Sequence, residues 1–179
     1  MLQREEDMNE SNYIEIIKEQ TQRSLWSIGN VTAGIPDKYW DKVYCEMPLW
    51  KHVYHTLHSL DRWYINPQRY CEPAFHEKDL NNLNVLPTRV LSREELTNYF
   101  HAVKEKIEAY NESLIEDELL QKPDGCKWSR FTLITAQLRH LHYHTGIIMG
   151  FIIAETGMWP QVIGLEQDIP EGEDFPYFE

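Results

Sequence analysis

Ser129–Gly157, SRFTLITAQLRHLHYHTGIIMGFIIAETG, is apolar along two lines at once. One line runs through Phe131, Ile134, Leu138, Leu141, Thr145, Ile148 and Ile152. The other runs through Leu133, Gln137, His140, His144, Ile147 and Phe151. Both keep the 3.6-residue period of an α-helix. The segment therefore reads as one long helix from about Ser129 to Thr156, stopping at Gly157. A helix apolar on two sides must bury both sides, so it needs two neighbours, as in a bundle.

Three further segments supply the neighbours. The first helix is expected from about Asn12 to Ser27, with Ile14, Ile17, Leu25 and Ile28 inside and a stop at Gly29-Asn30. The second is expected from about Met47 to Ile65, where Val53, Leu57, Leu60 and Tyr64 form a seam, ending before Asn66-Pro67. The third opens on Ser92-Arg93-Glu94-Glu95, a capping box in which Ser92 caps and Glu95 reaches back. Its seam is Leu96, Phe100, Val103, Ile107, Tyr110 and Leu114. A short helix over Asp37–Tyr44 is expected before helix two. The expected fold is all-α: a four-helix bundle in a single domain over 1–179, with its core at about 12–157 and a tail at 158–179.

Two segments stand outside the helices. Asn66–Leu91 connects helices two and three and carries Pro67, Pro73 and Pro87; a connection this long is usually functional. The tail from Glu166 has six acids, no base, and ends in Phe175-Pro176-Tyr177-Phe178, a segment to dock on the body or on a partner.

Charge narrows the partners. With 17 Lys+Arg against 29 Asp+Glu, the net charge of −12 repels phosphate backbones and anionic membranes. Nucleic acid and membrane partners are therefore not expected. The N-terminus, MLQREEDMNE, lacks the apolar core of a signal peptide. The longest apolar stretch, Ile147–Ala154, is too short to span a bilayer. Cys45, Cys71 and Cys126 are odd in number and far apart, which disfavours a cysteine zinc site or a redox dithiol. The expectation is a cytoplasmic protein with reduced thiols.

The eight histidines carry the functional signal, because six of them fall in two clusters: His52, His55 and His58 on helix two, and His140, His142 and His144 on helix four. His76 and His101 stand alone and receive no role. His140 and His144 are four residues apart, so their rings share one face of the helix. That spacing lets two neutral imidazoles hold one ion at about 2.0–2.1 Å. His142 is turned about 200° away from His140 and cannot join them. A third ligand must come from elsewhere. Periodicity leans towards His52, beside Thr56 and Trp63; His55 lies further round, and the pattern alone does not decide.

Two motifs resemble a known family. Arg139-His140-Leu141-His142-Tyr143-His144-Thr145-Gly146 resembles the R-H-x-x-x-H-x-G motif of the DinB/YfiT-like superfamily, whose two histidines bind metal. Tyr54-His55-Thr56-Leu57-His58-Ser59-Leu60-Asp61-Arg62-Trp63 resembles its helix-two motif, H-T-L followed by an aromatic. The order and spacing of the helices fit as well, so the likeness covers nearly the whole chain. It differs where members often have two adjacent histidines and this chain has Tyr143-His144, and where it has Ile147 instead of Gln after the motif glycine.

The resemblance implies a metal site of His55, His140 and His144, choosing His55 over His52. It implies an enzyme acting on a small molecule, of thiol-dependent S-transferase or hydrolase type, with a low-molecular-weight thiol as one partner. It also implies pairing as a homodimer. Zinc is the expected ion; nickel, iron and manganese accept the same imidazoles. Three neutral histidines leave an ion its full charge and an open position, the arrangement of catalytic sites. His52, His58, Tyr54, Trp63 and Tyr143 are candidates to line the pocket or support the ligands, although core packing is the ordinary role of such aromatics. The rival expectation is a non-catalytic bundle that binds metal or a partner protein.

Overall fold

Helix α1 spans Tyr13–Ala33, passing through Gly29-Asn30, where a stop was expected. The structure, a computed structural model, describes residues 13–179. The expected start at Asn12 and the charged N-terminal stretch lie outside the described residues.

Gly29 and Asn30 do not break α1 because the tail rests on them. A Cβ at Gly29 would sit 2.9 Å from the Phe175 ring and 3.0 Å from the Phe100 ring, so only glycine admits both. Asn30 is fully buried and donates from Nδ2 to the carbonyls of Gln161 (2.9 Å) and Tyr177 (2.8 Å). Its Oδ1 accepts from the Tyr177 amide at 2.6 Å. Trp26 meets the rings of Phe175 and Tyr177 at 5.4 and 5.7 Å. The tail therefore docks on the body. A residue pair that reads as a helix stop is the receptor for a strand-like segment, whose backbone groups need partners.

The loop after α1 makes one 3-10 turn at Asp37–Tyr39. The helix expected over 37–44 then gives way to a hairpin: β1 (Val43–Tyr44) pairs antiparallel with β2 (Met47–Pro48). Cys45 and Glu46 both have positive φ, 48° and 68°, as a two-residue hairpin turn requires. Neither residue is a usual choice for that conformation, which is why the turn is invisible to a motif reading. Pro48 precedes α2 (Leu49–Trp63), two residues inside the expected boundaries at each end.

Helix α3 spans Arg93–Ser113, and its capping box is complete: the Glu95 amide donates to Ser92 Oγ and the Ser92 amide to Glu95 Oε2. Helix α4 spans Arg130–Thr156, capped by Ser129 and ended by Gly157 at φ 71°. That left-handed residue is the standard helix terminator.

The chain is thus mostly helical, with one small hairpin. Helix α4 packs against α1 and α2, and α3 packs against the same two from the other side. The line through Gln137, His140 and His144 faces α2, where Ser59 Oγ donates to Gln137 Oε1 and both rings meet His55. Ile28, Val53, Leu57, Leu60, Leu96, Ile134 and Ile148 fill the space between the helices, each 1% exposed or less. Burying each contributes roughly 1.5–3 kcal/mol before the entropy of ordering it. Tyr64 crosses this core: its hydroxyl lies 2.8 Å from Thr21 Oγ1 and donates to Asn111 Oδ1 at 3.1 Å, joining α1 and α3. Among the described residues no helix is long and apolar enough to cross a membrane. Cys45, Cys71 and Cys126 are unpaired.

Candidate metal centre

The contact between α2 and α4 carries the histidines. One turn of α4 places His140 and His144 rings 4.4 Å apart. From α2, the His55 ring lies 4.6 Å from that of His144 and 5.4 Å from that of His140. One ligand atom from each of the three lies within 4.8 Å of the others, so the group can hold a metal ion. The ring planes cross at 48° to 62°, which lets three edges turn towards one point.

The donor chemistry fits a cation. His55 Nδ1 lies 2.8 Å from the carbonyl oxygen of Asn81. A carbonyl only accepts, so Nδ1 carries the proton and Nε2 keeps its lone pair. Nδ1 of His140 and Nδ1 of His144 are buried with no hydrogen-bond partner among the described residues. Such orphans cost about 1–3 kcal/mol each when nothing satisfies them, and a shared cation removes that cost where it takes the lone pair. Burial lowers the pKa of all three rings, and their proximity lowers that of His140 and His144 further. His144 falls to about 3. All three are therefore neutral at pH 7, as ligation demands.

The connection over 66–91 closes the α2 side. Besides Asn81, it offers the Val85 carbonyl to the ammonium of Lys51, which is buried one turn before His55. Burial lowers the Lys51 pKa. Two successive turns of α2 are thus tied to the loop.

The other candidates fall in different places. His52 donates from Nε2 to the Tyr44 carbonyl at 3.0 Å and packs its ring on Phe151; it braces the hairpin. Tyr143 is 65% exposed and meets the His144 ring edge-on at 4.9 Å, on the outer side of the site. Trp63 packs against Trp128. It lies two turns beyond His55, about 12 Å along the helix. His142 faces α1, with Nε2 3.1 Å from Ser24 Oγ.

His58 and Tyr54 belong to a second cluster. His58 Nε2 lies 2.7 Å from Glu72 Oε2, and the Tyr54 hydroxyl lies 2.6 Å from His76 Nδ1. His58, Glu72 and His76 form a separate group with ligand atoms within 4.8 Å of one another. Reading the sequence missed Glu72 and His76 because they sit in a loop without periodicity. The only available signal was a histidine four residues after an acid inside an unusually long connection.

A cleft of about 530 Å³ lies at the α1–α3 side, lined by Thr32, Arg93, Thr97, His101 and the tail residues Glu173 and Phe175. It is on the opposite side of the helical core from the three histidines. Comparison with protein-family models, with curated proteins and with solved structures finds no match for this chain.

Proposed function

We propose that this chain is a DinB/YfiT-like four-helix bundle whose His55, His140 and His144 hold one divalent ion, and that it is an enzyme acting on a small molecule. The carrying observation is the convergence of three neutral imidazoles, from two helices, within 4.8 Å. The family assignment rests on the two motifs, with His55 in H-T-L and His140 and His144 in R-H-x-x-x-H-x-G.

Zinc is the first choice, with nickel, iron and manganese as the other ions that accept imidazole. When bound by three neutral histidines, such an ion acidifies water or a thiol and stabilises negative charge. The protein's own groups do the rest. The Asn81 carbonyl holds the proton on His55 Nδ1 and so leaves the lone pair on Nε2. His55 and His140 are only partly buried, which leaves an approach from solvent, and Tyr143 stands at its edge. The reaction proposed is transfer of a low-molecular-weight thiol, or hydrolysis, in a cytoplasmic protein that pairs as a homodimer.

One observation favours a second reading, a non-catalytic metal-binding or protein-interaction bundle. Among the described residues the carboxylates that pair with histidine, Glu72 and Glu173, belong to other clusters, and none pairs with His55, His140 or His144.

The test uses the full chain, expressed with zinc and nickel supplied. Metal content that falls by one ion per chain in the variant with His140→Ala and His144→Ala supports the site; well under one ion per chain, or no fall in that variant, counts against it. Turnover across a panel of thiols and electrophiles that disappears on chelation supports the enzyme. Full metal content with no turnover supports the binding module. Light scattering reads the dimer.

A further inference from the structure

We propose that His58, Glu72 and His76 form a second divalent-cation site, distinct from the three-histidine group and one helical turn further along α2.

The geometry is that of a two-histidine, one-carboxylate site. Glu72 Oε2 lies 2.7 Å from His58 Nε2 and 3.7 Å from His76 Nδ1. The two imidazoles stack, with centroids 5.0 Å apart and planes 24° from parallel, so both present an edge to the same carboxylate. The site is built rather than incidental. His58 is 1% exposed and is held between the Tyr54 and Tyr70 rings, each 5.5 Å away. The Tyr70 hydroxyl donates to Glu72 Oε2 at 3.2 Å.

Charge points the same way. Glu72 makes no ion pair with any Lys or Arg among the described residues; its partners are the two histidines and the Tyr70 hydroxyl. A carboxylate with no Lys or Arg beside it is open to a cation. Two imidazoles and one carboxylate, with the remaining positions open, suit a first-row divalent ion, and the carboxylate makes the set harder than three imidazoles. Manganese(II), iron(II) and cobalt(II) therefore gain relative to the three-histidine group.

Binding needs only local adjustments. Glu72 accepts a hydrogen bond from His58 Nε2 now, so that ring must move its proton to Nδ1 to offer Nε2 to an ion. The Tyr54 hydroxyl must turn away from His76 Nδ1. No proton or electron is gained or lost overall.

The proposal also gives the 66–91 connection a role. It carries Glu72 and His76 for one group and, at Asn81, the carbonyl that orients His55 for the other. A single loop then closes both.

The experiment is a cobalt(II) titration of chelator-stripped full-length protein, followed by equilibrium dialysis and visible absorption. The wild type is expected to bind two ions per chain. Glu72→Gln is isosteric and lies at the exposed edge of the group, so it should keep the fold, checked by circular dichroism, and weaken one of the two ions at least tenfold. Glu72→Gln with His76→Ala should leave one ion per chain. The variant with His140→Ala and His144→Ala should also bind one, which Glu72→Gln then weakens. The inference fails if Glu72→Gln binds as the wild type does. It also fails if the wild type binds a single ion that is lost with His140 and His144, an outcome that leaves the three-histidine reading intact. Two ions in the wild type and two in the His140/His144 variant would sink the three-histidine reading alone. Binding of no ion overturns both.

Discussion

His55 and Asn81 meet across 26 residues of sequence, the imidazole Nδ1–H donating to the Asn81 carbonyl at 2.8 Å. His52, one turn earlier, donates from Nε2 to the Tyr44 carbonyl. The two histidines thus have opposite tautomers, and each is set by a different segment. Nε2 of His55 keeps its lone pair for a ligand, whereas Nε2 of His52 is occupied.

His55→Ala should therefore remove one ion per chain, the one shared with His140 and His144, a larger loss than the 10–100-fold typical when an outer partner of a ligand is removed. His52→Ala should leave metal content unchanged, at the cost of the hairpin contact. Elemental analysis of both variants decides; equal metal in His55→Ala and the wild type would move the third ligand elsewhere.

Metal-free protein should lose stability as pH falls below about 6.5. Burial holds His144 at about 3 in the folded chain, against 6.5 for an ordinary histidine, and lowers His55 and His140 too. Between those values the unfolded chain binds more protons, so stability is fully present above pH 6.5 and drains towards pH 3. His144 alone accounts for up to about 2 kcal/mol at pH 5. Urea melts at pH 8 and pH 5 in chelator measure the difference, and His144→Gln should narrow it. Identical midpoints at both pH values would mean the rings are not held neutral.

Gly29→Ala should loosen the tail. The added Cβ would meet the Phe175 ring at 2.9 Å and the Phe100 ring at 3.0 Å. Overpacking of this kind costs roughly 1–3 kcal/mol. The expected readout is faster proteolysis after residue 160 together with a lower melting temperature. A tail as resistant as in the wild type would show that the ring has room to shift.

Tyr64→Phe should destabilise by about 1–3 kcal/mol, because Asn111 Oδ1 and Thr21 Oγ1 lose the hydroxyl between them in a buried setting. Thermal melts measure it, and metal content should not change, since Tyr64 lies more than two turns from His55 along α2.

The helices were legible wherever one residue type has one local meaning. Ser92 with Glu95, and Ser129 with Gly157, mark their helix ends through bonds made within a single turn. His140 and His144 share a face by helical geometry alone. Gly29-Asn30 was misread because its meaning depends on Phe175 and Tyr177, more than 140 residues away. Cys45-Glu46 was misread because the hairpin imposes left-handed backbone on residues that do not advertise it.

The amino-acid sequence by itself determined four helical segments, the caps of α3 and α4, an acidic chain and a pair of histidines on one face of α4. Periodicity is a property of neighbours three and four residues apart, so it needs no knowledge of the fold. The tertiary structure decided which residues from other segments join those pairs. It brings His55 rather than His52 to His140 and His144, sets Glu72 and His76 beside His58, and seats the tail on α1. Those choices depend on how α2 is rotated against α4 and on where an aperiodic loop closes, and contacts of that range leave no repeating pattern in the sequence.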